Sequence, residues 1–138
     1  MGLPKAAEAR LYYRAAKQRF ADAQLLLNAD RTTGAVYLAG YTVECFLKAL
    51  LLASVAPRLR RKLLDEFRGS RAHNMEWLGT LYRQHGDTAI PLDVSRHLSR
   101  LAPWSTDLRY ATGMLGRREA DQFLKSVIAI TNWAEGRM

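Results

Sequence analysis

The segment 34–53 constrains the fold most strongly, because it reads as a helix that is apolar on nearly every side. Its large apolar residues are Val36, Tyr37, Leu38, Tyr41, Val43, Phe46, Leu47, Leu50 and Leu51. A helix of this kind is normally central and packs against other elements on several sides. The sequence therefore predicts a domain that is built around this one helix.

Helical spacing of apolar residues continues through most of the chain. Over residues 6–28, apolar side chains recur at steps of three and four and form one stripe. Further helices are predicted over 57–67, 75–85, 91–102 and 117–135. No run alternates with the period of two that is typical of a half-buried strand. We therefore predict an all-α, single-domain up-down bundle over residues 1–138, with four or five main helices and a core formed by the first, second and last.

Polar and small residues suggest how these helices begin and pack. Thr32 or Thr33 is expected to cap the second helix, and Asn74 the fourth, because their side-chain oxygens can accept from free backbone N–H groups. Ala39 and Gly40 lie inside the second helix and are expected to let a neighbouring helix approach closely.

Composition excludes several classes of protein. A chain with 49% hydrophobic and 25% charged residues is an ordinary globular domain. The single cysteine, Cys45, cannot form an intrachain disulfide or a multi-cysteine zinc site. The first residues lack a secretory signal pattern, and the longest apolar run, 49–57, is well short of the roughly 20 residues of a membrane span. We therefore expect a cytoplasmic protein with no membrane partner, no metal and no cofactor.

The chain is strongly basic, with 21 Lys and Arg residues against 13 Asp and Glu and a net charge of +8. Sixteen of these bases are arginines, whose planar fork of donors matches phosphate oxygens. Four of the bases cluster in the third predicted helix, at Arg58, Arg60, Arg61 and Lys62. This cluster is a candidate surface for nonspecific nucleic-acid binding, and it is equally typical of a solvated helix face.

Arg68 and His73 form an Arg-x4-His pair, which suits metal-independent RNA cleavage. An arginine can stabilise charge on the scissile phosphate, while a histidine transfers protons to or from the reacting oxygens. The same residues also fit a surface arginine at a helix end and a histidine beside a cap. They are candidate catalytic residues on the first interpretation only.

Two further groups are candidates for ligand binding. Glu44 and Lys48 share one helix face at i, i+4 spacing, either as a simple ion pair or as charges that hold a ligand or a second copy. Arg109 and Tyr110 follow Trp104 and offer a guanidinium beside aromatic rings, which can stack a base or hold a phosphate. The alternative is that Arg109 and Tyr110 only anchor their loop.

Residues 35–51, which read AVYLAGYTVECFLKALL, closely resemble the second helix of HEPN domains (higher eukaryotes and prokaryotes nucleotide-binding). Residues 21–26 fit the preceding helix of that family. The segment HNMEWL at 73–78 looks like the family's His-Asp-Leu-type helix start, and Arg109-Tyr110 looks like its recurring Arg-Tyr. The resemblance covers nearly the whole chain in the same order, with Glu119-Ala120 in the final helix.

The resemblance implies a helical bundle that pairs into a homodimer and works beside a small nucleotidyltransferase in a toxin–antitoxin-like pair. Many members are ribonucleases whose active site forms at the dimer interface from Arg-x4–6-His motifs late in the chain. Here no histidine follows Arg109, whereas Arg68 and His73 have the right spacing at an earlier helix junction. Met75 stands where a tyrosine often follows the histidine by two positions.

The leading hypothesis is a HEPN-like binding module that is not an enzyme. It would bind a nucleotide, RNA or a partner nucleotidyltransferase around Tyr41, Glu44, Lys48, Arg109 and Tyr110. The alternative hypothesis is a metal-independent ribonuclease that uses Arg68 and His73.

Overall fold

The structure is a computed structural model that describes residues 3–86 and 89–138. Over these ranges the chain forms six α-helices: α1 (Ala7–Asn28), α2 (Thr32–Ser54), α3 (Pro57–Glu66), α4 (Met75–His85), α5 (Leu92–Leu101) and α6 (Arg117–Glu135). Two short 3-10 helices, Ser70–His73 and Thr106–Tyr110, lie in the connections. No strand occurs in the described ranges, so the all-α prediction is confirmed; each of the six predicted segments forms a helix, where four or five main helices were expected in the bundle.

Helix α2 is central, as its apolar sequence predicts. It packs against α1, α4 and α6, and the side chains of Val43, Leu47 and Leu50 are fully buried. By length and composition α2 is also apolar enough to cross a membrane, but 83% of its most apolar window is buried inside the fold. Its hydropathy is therefore accounted for by its position at the centre of the bundle.

Helix α1 packs against α2 along a row of small side chains. Ala9, Ala16 and Ala23 are completely buried at intervals of seven residues, whereas the larger Phe20 and Leu27 lie at the edge of the core. Alanines on the contact line let two helices approach closely, since no long side chain separates their backbones. The predicted apolar stripe is confirmed, and its buried centre consists of alanines.

The predicted cap at Asn74 is confirmed, but the predicted threonine cap of α2 is wrong. The Asn74 side chain accepts a hydrogen bond from the backbone N–H of Trp77 at 2.9 Å. Helix α2 starts at Thr32 without a side-chain cap. The hydroxyls of Thr32 and Thr33 bond instead to the segment before α6. Thr33 donates to the carbonyl of Gly113 at 2.8 Å and accepts from the backbone N–H of Leu115 at 3.0 Å.

The backbone of α2 at Gly40 is in contact with a side chain from a loop, whereas the sequence predicts a neighbouring helix at this place. A Cβ atom at Gly40 would lie 2.0 Å from Cε2 of Trp104, which is far inside van der Waals contact. The Trp104 indole therefore packs directly on the backbone of α2. This contact anchors the loop that carries the second 3-10 helix.

Candidate functional site

Glu44 and Lys48 form a buried ion pair on α2. The Lys48 Nζ atom lies 2.9 Å from Glu44 Oε2, and each side chain is only 5% exposed. The Lys48 ammonium also lies 5.6 Å from the centroid of the Tyr12 ring and 5.4 Å from that of Phe67, where ring quadrupoles attract a cation. Lys48 is thus enclosed by protein groups, and a ligand on the surface would sense it only through Glu44.

His73 contacts this buried ion pair and connects it to the protein surface. Its Nδ1 atom lies 2.8 Å from Glu44 Oε1, the oxygen that Lys48 does not contact, and its side chain is 40% exposed. An ionised carboxylate can only accept hydrogen bonds, so Nδ1 carries the proton that it shares with Glu44. The Nε2 atom is then left for a partner outside the pair. The side chains of Lys48, Glu44 and His73 therefore form a continuous series of polar contacts from the core to the solvent.

Tyr41 lies beside His73 and belongs to a small aromatic cluster. The Tyr41 ring meets the His73 ring edge-to-face with centroids 6.1 Å apart, and it meets the Trp104 ring in the same way at 5.2 Å. Its hydroxyl lies 3.3 Å from that of Tyr37, one turn earlier on α2. Burial, followed by the hydrogen bond with Tyr37, raises the pKa of Tyr41 well above its usual range. Tyr41 is therefore a neutral, protonated phenol at physiological pH.

Arg109 reaches the same cluster from the 3-10 helix Thr106–Tyr110. Its guanidinium lies 4.9 Å from the centroid of the Tyr110 ring. The Tyr110 hydroxyl, and to a lesser extent that of Tyr37, raises the pKa of Arg109, and the positive charge of Arg109 partly opposes the rise in the pKa of Tyr41. The predicted Arg109–Tyr110 pairing is therefore present, and Tyr110 is 70% exposed. Because Arg109 is exposed, an anionic ligand can reach it.

Arg68 lies just after α3 and is exposed to solvent. Its side chain is 83% exposed and forms a loose ion pair with Asp65 at 3.8 Å. Of the basic cluster, Arg58, Arg61 and Lys62 are exposed on α3. Arg60 is half-buried and donates to the carbonyl of Leu52 at 3.2 Å, which ties α3 to the end of α2. Three bases of the cluster are thus free to meet a ligand, and the fourth has a structural contact.

Comparison with known proteins decides which family this arrangement represents. The family model described as HEPN domain matches residues 9–137, which is nearly the whole chain. The chain belongs to the HEPN domain family. No curated protein matches it, and no solved structure matches it. The resemblance predicted from the sequence is therefore confirmed at the level of the family.

The fold of this HEPN domain gathers the motif residues that are separate in the sequence. Glu44 and Lys48 come from α2, His73 from the 3-10 helix before α4, and Arg109 from the loop before α6. The aromatic cluster of Tyr37, Tyr41 and Trp104 connects His73 with Arg109. We call these seven residues the His73–Arg109 site: Tyr37, Tyr41, Glu44, Lys48, His73, Trp104 and Arg109.

Two members of the site were not singled out as site residues from the sequence. Tyr37 lies one helical turn before Tyr41, and this spacing signals that both rings share one face. Trp104 is recognisable as a loop aromatic, but its contact with Gly40 spans 64 positions, which no local pattern reveals. The Glu44–His73 bond likewise joins residues 29 apart in the chain.

Two other kinds of chemistry depend on particular residues: metal binding and the reactions of the Cys45 thiol. No set of three or more His, Cys, Asp and Glu side chains that could hold a metal ion occurs in the described parts of this HEPN domain. Burial, and to a lesser extent the negative charge of Glu44, raises the pKa of the Cys45 thiol to about 12. Because the thiolate is the reactive form, Cys45 is an inert core residue at neutral pH.

Proposed function

We propose that this HEPN domain binds a phosphate-bearing ligand, a nucleotide or a segment of RNA, at the His73–Arg109 site. The observation that carries the proposal is the exposed imidazole of His73, which the buried Glu44 holds in place at 2.8 Å. The Glu44 carboxylate fixes one imidazole nitrogen and the other faces solvent, so a protonated His73 would present an oriented N–H donor to an anion. The proposed setting is the cytoplasm, where such ligands are abundant.

The chemistry of the site supports phosphate better than another anion. Arg109 offers a guanidinium fork, and arginine–phosphate bonds are frequently bidentate. When His73 is protonated, its Nε2–H is a second donor, since Nδ1 remains bonded to Glu44. The exposed ring of Tyr110 lies beside Arg109 and offers a face on which a base can stack.

Calorimetric titration with nucleoside mono- and triphosphates tests this proposal. Arg109→Ala and His73→Ala should each weaken binding by about tenfold or more, because each removes a charge-assisted hydrogen bond. Arg118→Ala is the matched control, since Arg118 is another exposed arginine on the first turn of α6. The proposal fails if no nucleotide binds, or if Arg109→Ala binds as tightly as Arg118→Ala.

We propose metal-independent ribonuclease activity as a second candidate function. The Glu44–His73 bond favours it, because a carboxylate that fixes one imidazole nitrogen leaves the other oriented for proton transfer. His73 would be the general acid or base, and an arginine would stabilise the charge on the scissile phosphate. The sequence spacing favours Arg68 as that arginine, whereas the interaction of Arg109 with Tyr37 and Tyr41 in the aromatic cluster favours Arg109.

Cleavage of single-stranded RNA in excess EDTA tests the second candidate and separates the two arginines. Loss of cleavage in His73→Ala and Arg68→Ala, with activity kept in Arg109→Ala, would support the spacing-based assignment. Loss in His73→Ala and Arg109→Ala would support the cluster instead. Absence of cleavage by the wild-type protein, or full cleavage by His73→Ala, would exclude the ribonuclease function.

The proposed assembly is a homodimer, with a small nucleotidyltransferase as a partner in a toxin–antitoxin-like pair. A groove of about 590 Å³ between α1 and α6 supports the first part, because it is flanked by Leu25, which is 69% exposed, and Ile128, which is 40% exposed. Light scattering of the wild type and of Leu25→Lys tests the dimer. A monomeric wild type, or a dimer unaffected by Leu25→Lys, would contradict pairing through this groove.

The exposed bases of α3 form a third proposed surface, for nonspecific nucleic-acid contacts. Arg58, Arg61 and Lys62 can neutralise phosphates, and such binding weakens steeply with salt as counterions return. Charge reversal of these three residues should reduce the salt dependence of RNA binding. It should leave the binding of a single nucleotide unchanged.

A further inference from the structure

A cleft of about 370 Å³ lies between α5, α6 and the loop that joins them. Known ligand pockets have volumes of roughly 300–1,000 Å³, and a cavity of about 150 Å³ already holds benzene. The cleft is therefore large enough for a molecule of two fused rings. It shares Trp104 with the His73–Arg109 site, but its other walls are separate.

The walls of the cleft are mainly apolar and partly aromatic. Trp104 and Phe123 both line it, together with the aliphatic side chains of Leu101 and Leu115. Two aromatic walls favour a flat ligand, because an aromatic ring gains both stacking and edge contacts with such neighbours. The Nε1 atom of Trp104 is buried without a hydrogen-bond partner among the described residues.

The cleft also has a polar edge, to which a buried side chain and an exposed one contribute. Ser126 is buried, with 3% of its surface exposed, and it lines the cleft. Its Oγ atom lies 3.0 Å from Nδ1 of His97 on α5, which orients the hydroxyl. A hydroxyl has one donor and two acceptor positions, so Ser126 retains hydrogen-bonding capacity for a ligand. Gln122, one turn earlier on α6, adds an amide with both donors and an acceptor.

The charges at the cleft are balanced. Arg100 and Glu119 both line it, one positive and one negative, and both are exposed. A charged ligand would be attracted by one of these residues and repelled by the other, whereas a neutral ligand would be repelled by neither. We therefore propose that this cleft binds a neutral, planar heteroaromatic molecule of one or two rings, whose hydrogen-bonding edge faces Ser126 and Gln122.

Adenine is a suitable probe, because it is neutral, planar and bicyclic and carries donors and acceptors on its edge. We would titrate it into ¹⁵N-labelled protein and follow the indole N–H signals, with indene as a probe of the same ring sizes that lacks any heteroatom. Adenine should shift the signal of Trp104 but not that of Trp133, which does not line the cleft. Indene should bind at least tenfold more weakly than adenine.

Three variants make the assignment specific. Ser126→Ala and Gln122→Leu should each weaken adenine binding several-fold to tenfold, because each removes a hydrogen-bonding group from the polar edge. Leu115→Trp should abolish binding by filling the cleft. Gln24→Leu is the matched control for Gln122→Leu, since Gln24 is an exposed glutamine on α1 that lines a different groove. Gln122 is itself exposed on α6, so this variant tests the proposal even if Ser126→Ala does not fold.

The outcomes separate this cleft from the phosphate site. Arg109→Ala should leave adenine binding unchanged, and Ser126→Ala should leave the binding of inorganic phosphate unchanged. Absence of a Trp104 shift, equal affinities for adenine and indene, or adenine binding that survives Leu115→Trp would each overturn the proposal. Failure of phosphate binding would leave the adenine result standing, because the polar contacts differ: phosphate would meet His73 and Arg109, whereas adenine would meet Ser126 and Gln122.

Discussion

Removal of one member of the Glu44–Lys48 pair should destabilise this HEPN domain far more than replacement of both. The two side chains are 2.9 Å apart and 5% exposed, so neither charge is solvated by water. Lys48→Met keeps the length of the side chain and removes its charge. Glu44→Gln keeps the shape and removes the opposite charge. These variants change the electrostatics while they disturb the packing as little as possible.

The structure gives the magnitude of the effect. At 2.9 Å and an effective dielectric constant of about 20, the attraction between the charges is roughly 6 kcal/mol, which offsets the several kcal/mol needed to desolvate each ion. Removal of one partner leaves the other charge buried and costs about 3–5 kcal/mol. Lys48→Met should lie near the lower end of that range, because His73 still contacts the Glu44 carboxylate at 2.8 Å.

The double variant should recover most of this loss. With Gln at 44 and Met at 48 no charge is buried, so its stability should lie within about 1 kcal/mol of the wild type. The coupling free energy in the double-mutant cycle should then be at least about 5 kcal/mol, since two losses of about 3 kcal/mol or more are replaced by one within about 1 kcal/mol. Urea unfolding of the four proteins measures it from the transition midpoints, provided that the slope m is unchanged. Strictly additive losses, or single losses below about 1 kcal/mol, would refute the reasoning.

Three further predictions concern other parts of the molecule. Gly40→Ala should lower the melting temperature by several degrees, because the added Cβ would displace the Trp104 indole. The control Gly79→Ala should leave the melting temperature unchanged or raise it, since the Cβ at Gly79 would meet only the end of a flexible arginine side chain at 3.4 Å. Thr33→Val should cost about 1–2 kcal/mol and speed amide exchange in the segment before α6, as measured by hydrogen–deuterium exchange. Cys45 has a pKa of about 12 in the fold against 9.0 normally, so the folded state retains a proton that the unfolded chain loses. The contribution of the Cys45 thiol to the free energy of unfolding should be complete below pH 9 and fall as the pH rises towards 12. At neutral pH the thiol should react with iodoacetamide only after unfolding. Rapid modification of the native protein would contradict this prediction.

The sequence is sufficient to predict those features that depend on neighbours along the chain. The bounds of α6 agree with its apolar period, and the cap at Asn74 follows from one side chain and the third residue after it. The central place of α2 follows from its apolar surface. Even the pairing of Glu44 with Lys48 was predictable, because four residues along a helix place two side chains on one face.

Features that depend on tertiary contacts could not be predicted in this way. Thr33 has the residue type of a cap, yet its hydroxyl bonds to Gly113, 80 positions away, because the loop before α6 folds over the start of α2. The burial of Glu44 and Lys48 depends on α1 and on the 3-10 helix before α4 closing over them. The contact of His73 with Glu44 depends on that closure, since nothing in the local sequence of His73 indicates a carboxylate partner 29 residues earlier.

The buried charges also allow stability and ligand binding to be separated. A bundle of this kind does not need an ion pair in its centre, because apolar side chains of similar volume are often as stable or more stable there. What the pair supplies is a carboxylate at 44 that can only accept, which fixes the proton of His73 on Nδ1. A glutamine at 44 can donate or accept, so both histidine tautomers become possible. The double variant should therefore unfold like the wild type but bind phosphate several-fold more weakly. Lys48→Met should show the reverse, a less stable fold whose intact Glu44–His73 bond preserves binding below its melting temperature. If stability and phosphate affinity instead fall together in every variant, Glu44 acts on the fold alone and His73 is not positioned by it.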